Sequence, residues 1–282
     1  MIYLGSNLSE TALPMIIIEQ EKCGREYKLV GNGIEGEVYR CYNLALKMFD
    51  LFPHTKSLSQ KFKKIELLGQ LQDNAACFPR GFVGYSSKKI EGYFCELVEP
   101  NNQYKDFDSK TLFMLKDIRK KLQYIIEADE AIQRFHKMGL ILGDIKGNNI
   151  MINPKGKIKF VDTDNWMYKN YGFDVNPIRS KWLQLLYNKD FSLIDNDKFA
   201  FSMMAIQILL NLSFSNPKNI SDKYFQYMIH LLEVKNETKE LLRIIFSDAK
   251  DKPYIGDILK NIDTEKIISE EKRKYLHDTR LR

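Results

Sequence analysis

Leu142-Gly143-Asp144-Ile145-Lys146-Gly147-Asn148-Asn149-Ile150-Met151-Ile152 puts an acid, a cation and an amide within six residues, directly before an apolar run. Such a stretch reads as a compact polar loop beside a hydrophobic strand. Eighteen residues after Asp144, Asp162 ends a second apolar run in Phe160-Val161-Asp162-Thr163-Asp164. The runs 150–152 and 158–161 flank the turn Asn153-Pro154-Lys155-Gly156. Hard carboxylate and amide oxygens at strand ends suit Mg²⁺ shared with phosphate groups, and turn formation alone accounts for the set less well.

Upstream, Gly31-Asn32-Gly33-Ile34-Glu35-Gly36-Glu37-Val38 spells G-x-G-x-x-G-x-V. Glycine permits positive φ and lets backbone N–H groups approach phosphate oxygens closely. Glycine loops also join ordinary hairpins, so the motif is weak alone. A strand follows it, not the helix a dinucleotide fold needs. Lys47 stands among apolar strand residues in Leu44-Ala45-Leu46-Lys47-Met48. An ammonium there is either paired inside or reaches water from an edge. Glu66, nineteen residues on, is an available partner beside the apolar face of a predicted helix over 57–72. That face is set by Phe62, Ile65, Leu68 and Leu71 at spacings of three.

Around these motifs, short apolar runs predict strands over 27–30, 38–42, 44–49, 82–86 and 93–98, with a turn at 88–92. From about 109 the pattern turns helical. Residues 111–138 form one or two helices that bury Leu122, Ile125, Ile126, Ala128, Ile132 and Phe135. Further helices are predicted over 197–211, 221–233, 238–246 and 254–261. The fold class is therefore α+β. A β-rich part with one helix precedes a larger helical part, with a boundary near 100–103.

With 44% hydrophobic and 28% charged residues over 282 positions, the chain can bury a core without disulfide or metal staples. A net charge of +6 is mild. The lysines are scattered (Lys56, Lys61, Lys63 and Lys64, then Lys88 and Lys89, then Lys155, Lys157 and Lys159) and read as solvated faces. No dense basic stripe marks a nucleic-acid partner. Cys23, Cys41, Cys77 and Cys95 form no C-x-x-C pair and no zinc spacing. Cys41 and Cys95 read as buried strand thiols in a reducing compartment. The N-terminus lacks a basic n-region. The most apolar stretch, 199–212, is interrupted by Ser202, Gln207 and Asn211. We expect no membrane span and a cytoplasmic protein.

The ordered set resembles the eukaryotic-like protein kinase family: glycine-rich loop, strand lysine, helix glutamate, catalytic loop, then metal-binding aspartate. The resemblance covers about residues 27–262. Asp197-Lys198-Phe199-Ala200-Phe201-Ser202 is similar to the family's D-x-W-S-x-G segment, with the aspartate kept. Asp248-Ala249-Lys250-Asp251-Lys252-Pro253 is similar to its D-P-x-x-R-P segment. The resemblance implies a bilobal kinase-like fold. Residues 1–26 would be an extension, 27–99 the small β-rich lobe with one helix, 100–262 the mainly helical lobe and 263–282 a charged tail. ATP and Mg²⁺ would be the cofactors. Gly31, Gly33, Gly36 and Val38 would cover the ATP. Lys47 would hold its α- and β-phosphates and pair with Glu66. Cys95 would fall near the gatekeeper, with Glu96 and Val98 at the adenine-binding hinge. Asp144 would orient the attacking hydroxyl, Lys146 would neutralise charge on the transferred group, and Asn149 and Asp162 would hold Mg²⁺.

The chain also departs from the family. Leu142-Gly143 replaces His-Arg before the catalytic aspartate, which removes the cationic partner of a phosphorylated activation loop. We therefore expect no need for phosphate there. Asp162-Thr163-Asp164 replaces Asp-Phe-Gly, and with Asn165-Trp166 it resembles a divergent bacterial branch. Asp164 is read as a turn cap, with a third acidic ligand as the alternative. No A-P-E motif follows, and Lys252 stands where its arginine partner would be. The expected activity is ATP- and Mg²⁺-dependent phosphoryl transfer to a hydroxyl, with protein Ser/Thr as the acceptor. The alternatives are a small-molecule kinase and a nucleotide-binding scaffold without catalysis.

Overall fold

The computed structural model describes residues 3–5, 13–17, 27–33, 36–49, 58–84, 89–98, 105–107, 112, 115, 117–153, 155–174, 182–212 and 222–262. Most of 1–26, Ile34 and Glu35 of the glycine loop, residues 85–88, the boundary at 100–103 and the tail 263–282 lie outside the described residues. In chain order the first elements are β1 (Tyr3–Gly5), β2 (Met15–Ile17), β3 (Tyr27–Gly33), β4 (Gly36–Cys41), β5 (Leu44–Phe49), α1 (Leu58–Gly69), β6 (Gly81–Gly84) and β7 (Gly92–Glu96). Then come β8 (Lys105–Asp106), α2 (Ile118–Lys137), β9 (Leu140–Ile141), β10 (Ile150–Ile152), β11 (Ile158–Phe160) and β12 (Met167–Tyr168). The last are α3 (Trp182–Tyr187), α4 (Leu193–Leu210), α5 (Asp222–Leu231), α6 (Asn236–Ile245) and α7 (Ile255–Leu259). The fold is α+β. The chain forms two compact units, Met1–Tyr104 with Lys159–Val175, and Lys105–Ile158 with Asn176–Arg282.

The first unit is built on a sheet of order β1-β2-β6-β7-β5-β4-β3, antiparallel except where β2 runs parallel to β6. Side chains alternate across a strand, and β5 uses both faces. Leu46 and Met48 pack with Cys41, Val83 and Phe94 on one side. Phe49 packs with Ile65, Phe82 and Tyr93 on the other, the side that α1 covers. Alternation therefore puts Lys47 on the α1 side. Gly92 lies opposite Met48 in the β5–β7 ladder. A Cβ there would sit 2.0 Å from the Lys47 carbonyl oxygen, so only glycine permits the approach.

Helix α1 buries Ile65 and Leu68 completely. Leu71, predicted on the same face, lies beyond its end and is half-buried. Two lysines correct the sequence reading: Lys61 and Lys64 are only 2% and 1% exposed, not solvated. Their counter-ions come from far along the chain, as described below.

In the second unit, Asp117 caps α2 by accepting from the Arg119 and Lys120 backbone N–H groups, satisfying two orphan donors of the first turn. Of the α2 residues expected inside, Ile126 alone is half-buried. Helix α4 is buried nearly all round, as its largely apolar sequence from Phe199 onward requires. Its Phe199 packs ring on ring with Phe225 and Phe246, at centroid separations of 4.7 to 5.6 Å. Lys252 is buried, and its ammonium donates to the Ser247 and Ala249 carbonyls. Burial lowers its pKa to about 8. No helix among the described residues is long and apolar enough to cross a membrane.

Candidate functional site

In the first unit, the glycine motif forms the β3–β4 hairpin. Gly31 stands opposite Val38, and Gly33 opposite Gly36. Gly36 has φ +142°, a conformation that side-chain-bearing residues avoid. Tyr27 and Tyr39 stack at 4.5 Å and brace the base of the hairpin. The expected strand 27–30 thus extends through Gly33, as the hairpin reading of these glycines requires.

Lys47 is buried, and its ammonium makes the central contacts of this unit. It donates to Asp162 Oδ1 at 2.5 Å and to Asp164 Oδ1 and Oδ2 at 2.8 and 3.0 Å. Asp162 takes the left-handed conformation, φ 60° and ψ 40°, which aspartate tolerates better than most residues. It opens a short 3₁₀ turn over Thr163–Asn165. The turn is pinned by the Thr163 hydroxyl, which donates to the Cys77 carbonyl at 3.0 Å. Trp166 packs edge-on against Phe78 and Phe160.

Asp164 corrects the turn-cap reading. Its side chain is fully buried, and besides Lys47 it accepts the Tyr93 hydroxyl at 2.8 Å. Lys61 lies 3.6 Å from its Oδ2. Burial alone would raise the Asp164 carboxyl, but the Lys47 and Lys61 ammoniums outweigh it and hold the group well below the usual carboxylate range. Burial, with Asp164 next to it, pushes the Tyr93 phenol well up. Asp174 completes the cluster, 2.9 Å from Lys64 and 3.5 Å from Lys61. Burial lowers the Lys64 pKa, and Asp174 partly offsets the shift. Lys61 also lies over the Phe49 ring, 4.4 Å from its centroid. Glu66 stands half-buried on α1.

At the end of β7, the Glu96 carboxylate pairs with Lys159 at 2.6 Å. The Leu97 N–H donates to the Asn43 carbonyl. Val98 follows, half-buried. Burial pushes the neighbouring Cys95 thiol far up, and that of Cys77 to about 12, so neither is a thiolate near neutral pH.

In the second unit, Asp144, Lys146 and Asn149 come together in one loop. The Lys146 ammonium pairs with the Asp144 carboxylate. The Asn149 amide donates to the Asp144 carbonyl at 3.0 Å and to its Oδ2 at 3.3 Å. Asp197, at the start of α4's apolar stretch, holds the loop from beneath. Its carboxylate accepts the Leu142 N–H at 2.7 Å and the Gly143 N–H at 2.8 Å. His136 Nε2 lies 3.0 Å from the same carboxylate, and His136 Nδ1 lies 2.8 Å from the Tyr254 hydroxyl. Gly143 adopts φ +73°, which lets the loop turn toward Asp197.

Sequence reading did not find Tyr93, Lys61, Lys64, Asp174 or His136. Tyr93 looked like an ordinary strand residue, and the two lysines like ordinary helix-surface charges. Chemically, the first unit presents a buried ammonium between two carboxylates. The second presents a half-buried carboxylate, cation and amide on a loop fixed by a buried aspartate. Comparison with protein-family models and with curated proteins finds no match to this chain.

Proposed function

We propose that the chain is an ATP- and Mg²⁺-dependent phosphotransferase with a bilobal kinase-like arrangement, acting on a hydroxyl, most simply that of a protein Ser or Thr. One observation carries the proposal: Lys47 and Asp162, 115 residues apart, meet at 2.5 Å. Kinase chemistry needs both groups at one site, the lysine for phosphate and the aspartate for Mg²⁺, because phosphoryl transfer depends on positioning and charge stabilisation more than on covalent steps.

The oxygens suited to Mg²⁺ support the same conclusion. Lys47 takes one oxygen of Asp162, and Asp162 Oδ2 accepts no hydrogen bond among the described residues. Asn149 spends its amide nitrogen on Asp144, which leaves its Oδ1 as a hard oxygen donor. Among the described residues, no cluster of three or more His, Cys, Asp or Glu side chains stands ready to hold a metal alone. Mg²⁺ commonly takes one or two protein ligands and fills its shell with water and substrate phosphates. When bound, ATP with Mg²⁺ supplies the transferable phosphoryl group and neutralises its charge. Lys47 would bind phosphate oxygens under the glycine hairpin. Asp144 would orient the acceptor hydroxyl and take its proton, and Lys146 would stabilise the developing negative charge.

The test is phosphoryl transfer from radiolabelled ATP with Mg²⁺, wild type beside Asp144→Asn, offered the protein itself, a generic basic protein and a lysate. The expected result is label with wild type and a loss of about 10²–10⁴-fold in the variant. ATP should still raise the melting temperature of both. Turnover of metabolites without protein label would assign a small-molecule kinase. ATP binding without any turnover would assign a scaffold. No thermal shift at millimolar ATP would refute the proposal.

A further inference from the structure

We propose, resting on the phosphotransferase reading above, that Asp164 is a positioning residue that holds the Lys47 ammonium in place and does not ligate metal. Asp162 and Asp164 are two residues apart, yet they meet Lys47 differently. The Asp162 side chain is 38% exposed and gives Lys47 one oxygen. The Asp164 side chain is 0% exposed and gives it both. A carboxylate offers about four acceptor positions. Asp164 spends these on Lys47 twice and on the Tyr93 hydroxyl, with Lys61 3.6 Å from Oδ2. The remaining position lies beside the Lys61 ammonium, which repels an external cation.

The backbone carrying Asp164 is fixed as firmly as its side chain. The Thr163 hydroxyl is tied to the Cys77 carbonyl, and the Asn165 side chain accepts the Asp174 N–H at 2.9 Å. Asp174 in turn lies against Lys64 and Lys61 of α1. Asp162 is thus the exposed, exchangeable partner of Lys47, and Asp164 is its permanent one. A lysine held this way keeps its aim while Asp162 changes partners.

The experiment measures acetylation of Lys47 by acetic anhydride at pH 8, resolved by mass spectrometry, with exposed Lys63 as internal reference. It compares wild type, Asp164→Asn and Lys61→Met/Asp164→Asn. The double variant removes one buried charge of each sign, so the cluster keeps the charge balance that the single variant upsets. Losing the carboxylate releases the Lys47 ammonium from two of its hydrogen bonds. We expect its labelling to rise about tenfold, the equivalent of one such bond to a charged group, with Lys63 unchanged. kcat/KM for ATP should fall by at least about tenfold, as for loss of a group that orients a reacting charge. Unchanged Lys47 labelling in the folded double variant would overturn the proposal and leave Asp164 a turn residue. If wild type neither binds nor turns over ATP while Lys47 labelling still depends on Asp164, the phosphotransferase reading fails and the coupling stands.

Discussion

Replacing Asp197 by alanine should release the loop that carries Asp144. The Asp197 carboxylate is 1% exposed and accepts the Leu142 and Gly143 N–H groups at 2.7 and 2.8 Å. Alanine leaves both donors buried and unpaired, at about 1–3 kcal/mol each. His136 loses its Nε2 partner as well. Removing one member of a buried polar set costs about 3–5 kcal/mol, and we expect Asp197→Ala to fall in that range. That is a large share of the 5–15 kcal/mol typical of a folded domain. Asp197→Asn keeps one acceptor oxygen and should lose only about 1–2 kcal/mol. Urea unfolding gives the free energies, and hydrogen exchange at the Leu142 and Gly143 amides gives the local effect. A loss under about 1 kcal/mol for alanine, or unchanged exchange at those two amides, would refute the anchoring role.

Two further outcomes test the packing. Burial pushes the Asp129 carboxyl up to about 6, against 3.8 for the free group. The folded chain therefore holds the extra proton between those values, so the destabilisation is full above about pH 6 and gone below about pH 4. Asp129→Asn should accordingly raise stability by up to about 3 kcal/mol at pH 7.5 and by almost nothing at pH 3.5; melting curves showing a larger gain in acid would contradict this. Gly92→Ala would place a Cβ 2.0 Å from the Lys47 carbonyl oxygen, a backbone atom that cannot swing aside. It should cost about 3 kcal/mol or more, and an alanine variant that melts like wild type would disprove the close approach.

Features written in local patterns were legible in the sequence. The apolar run Leu44-Ala45-Leu46-Lys47-Met48 marked a strand, and α1, α5 and α6 lie within a few residues of their predicted spans because their apolar spacing is helical. Asp144, Lys146 and Asn149 meet because they are neighbours in one loop. Contacts made across the chain had no such signal. Lys61 and Lys64 looked solvated because nothing near them in sequence is acidic and buried. Asp164 looked like a turn former because Asp-Thr-Asp-Asn is good turn chemistry, and it does form a turn. Its Tyr93 and Lys47 partners lie 71 and 117 residues away. Gly143 has a local use, since its positive φ helps seat the loop on Asp197.

The placement of Lys159–Val175 with the first unit bears on how the chain is made. When the ribosome has finished residue 104, Lys47, Lys61 and Lys64 have been synthesised, but Asp162, Asp164 and Asp174 have not. Three ammoniums that end up buried must wait in water for their carboxylates. At about 5–20 residues per second, the 115 residues between Lys47 and Asp162 take roughly 6 to 23 seconds to appear. Through that interval the nascent first unit has its apolar sheet residues but lacks the charges that close its α1 side. A chaperone that shields this unfinished sheet, or a codon choice that shortens the wait, would raise the yield of folded protein without changing a single residue.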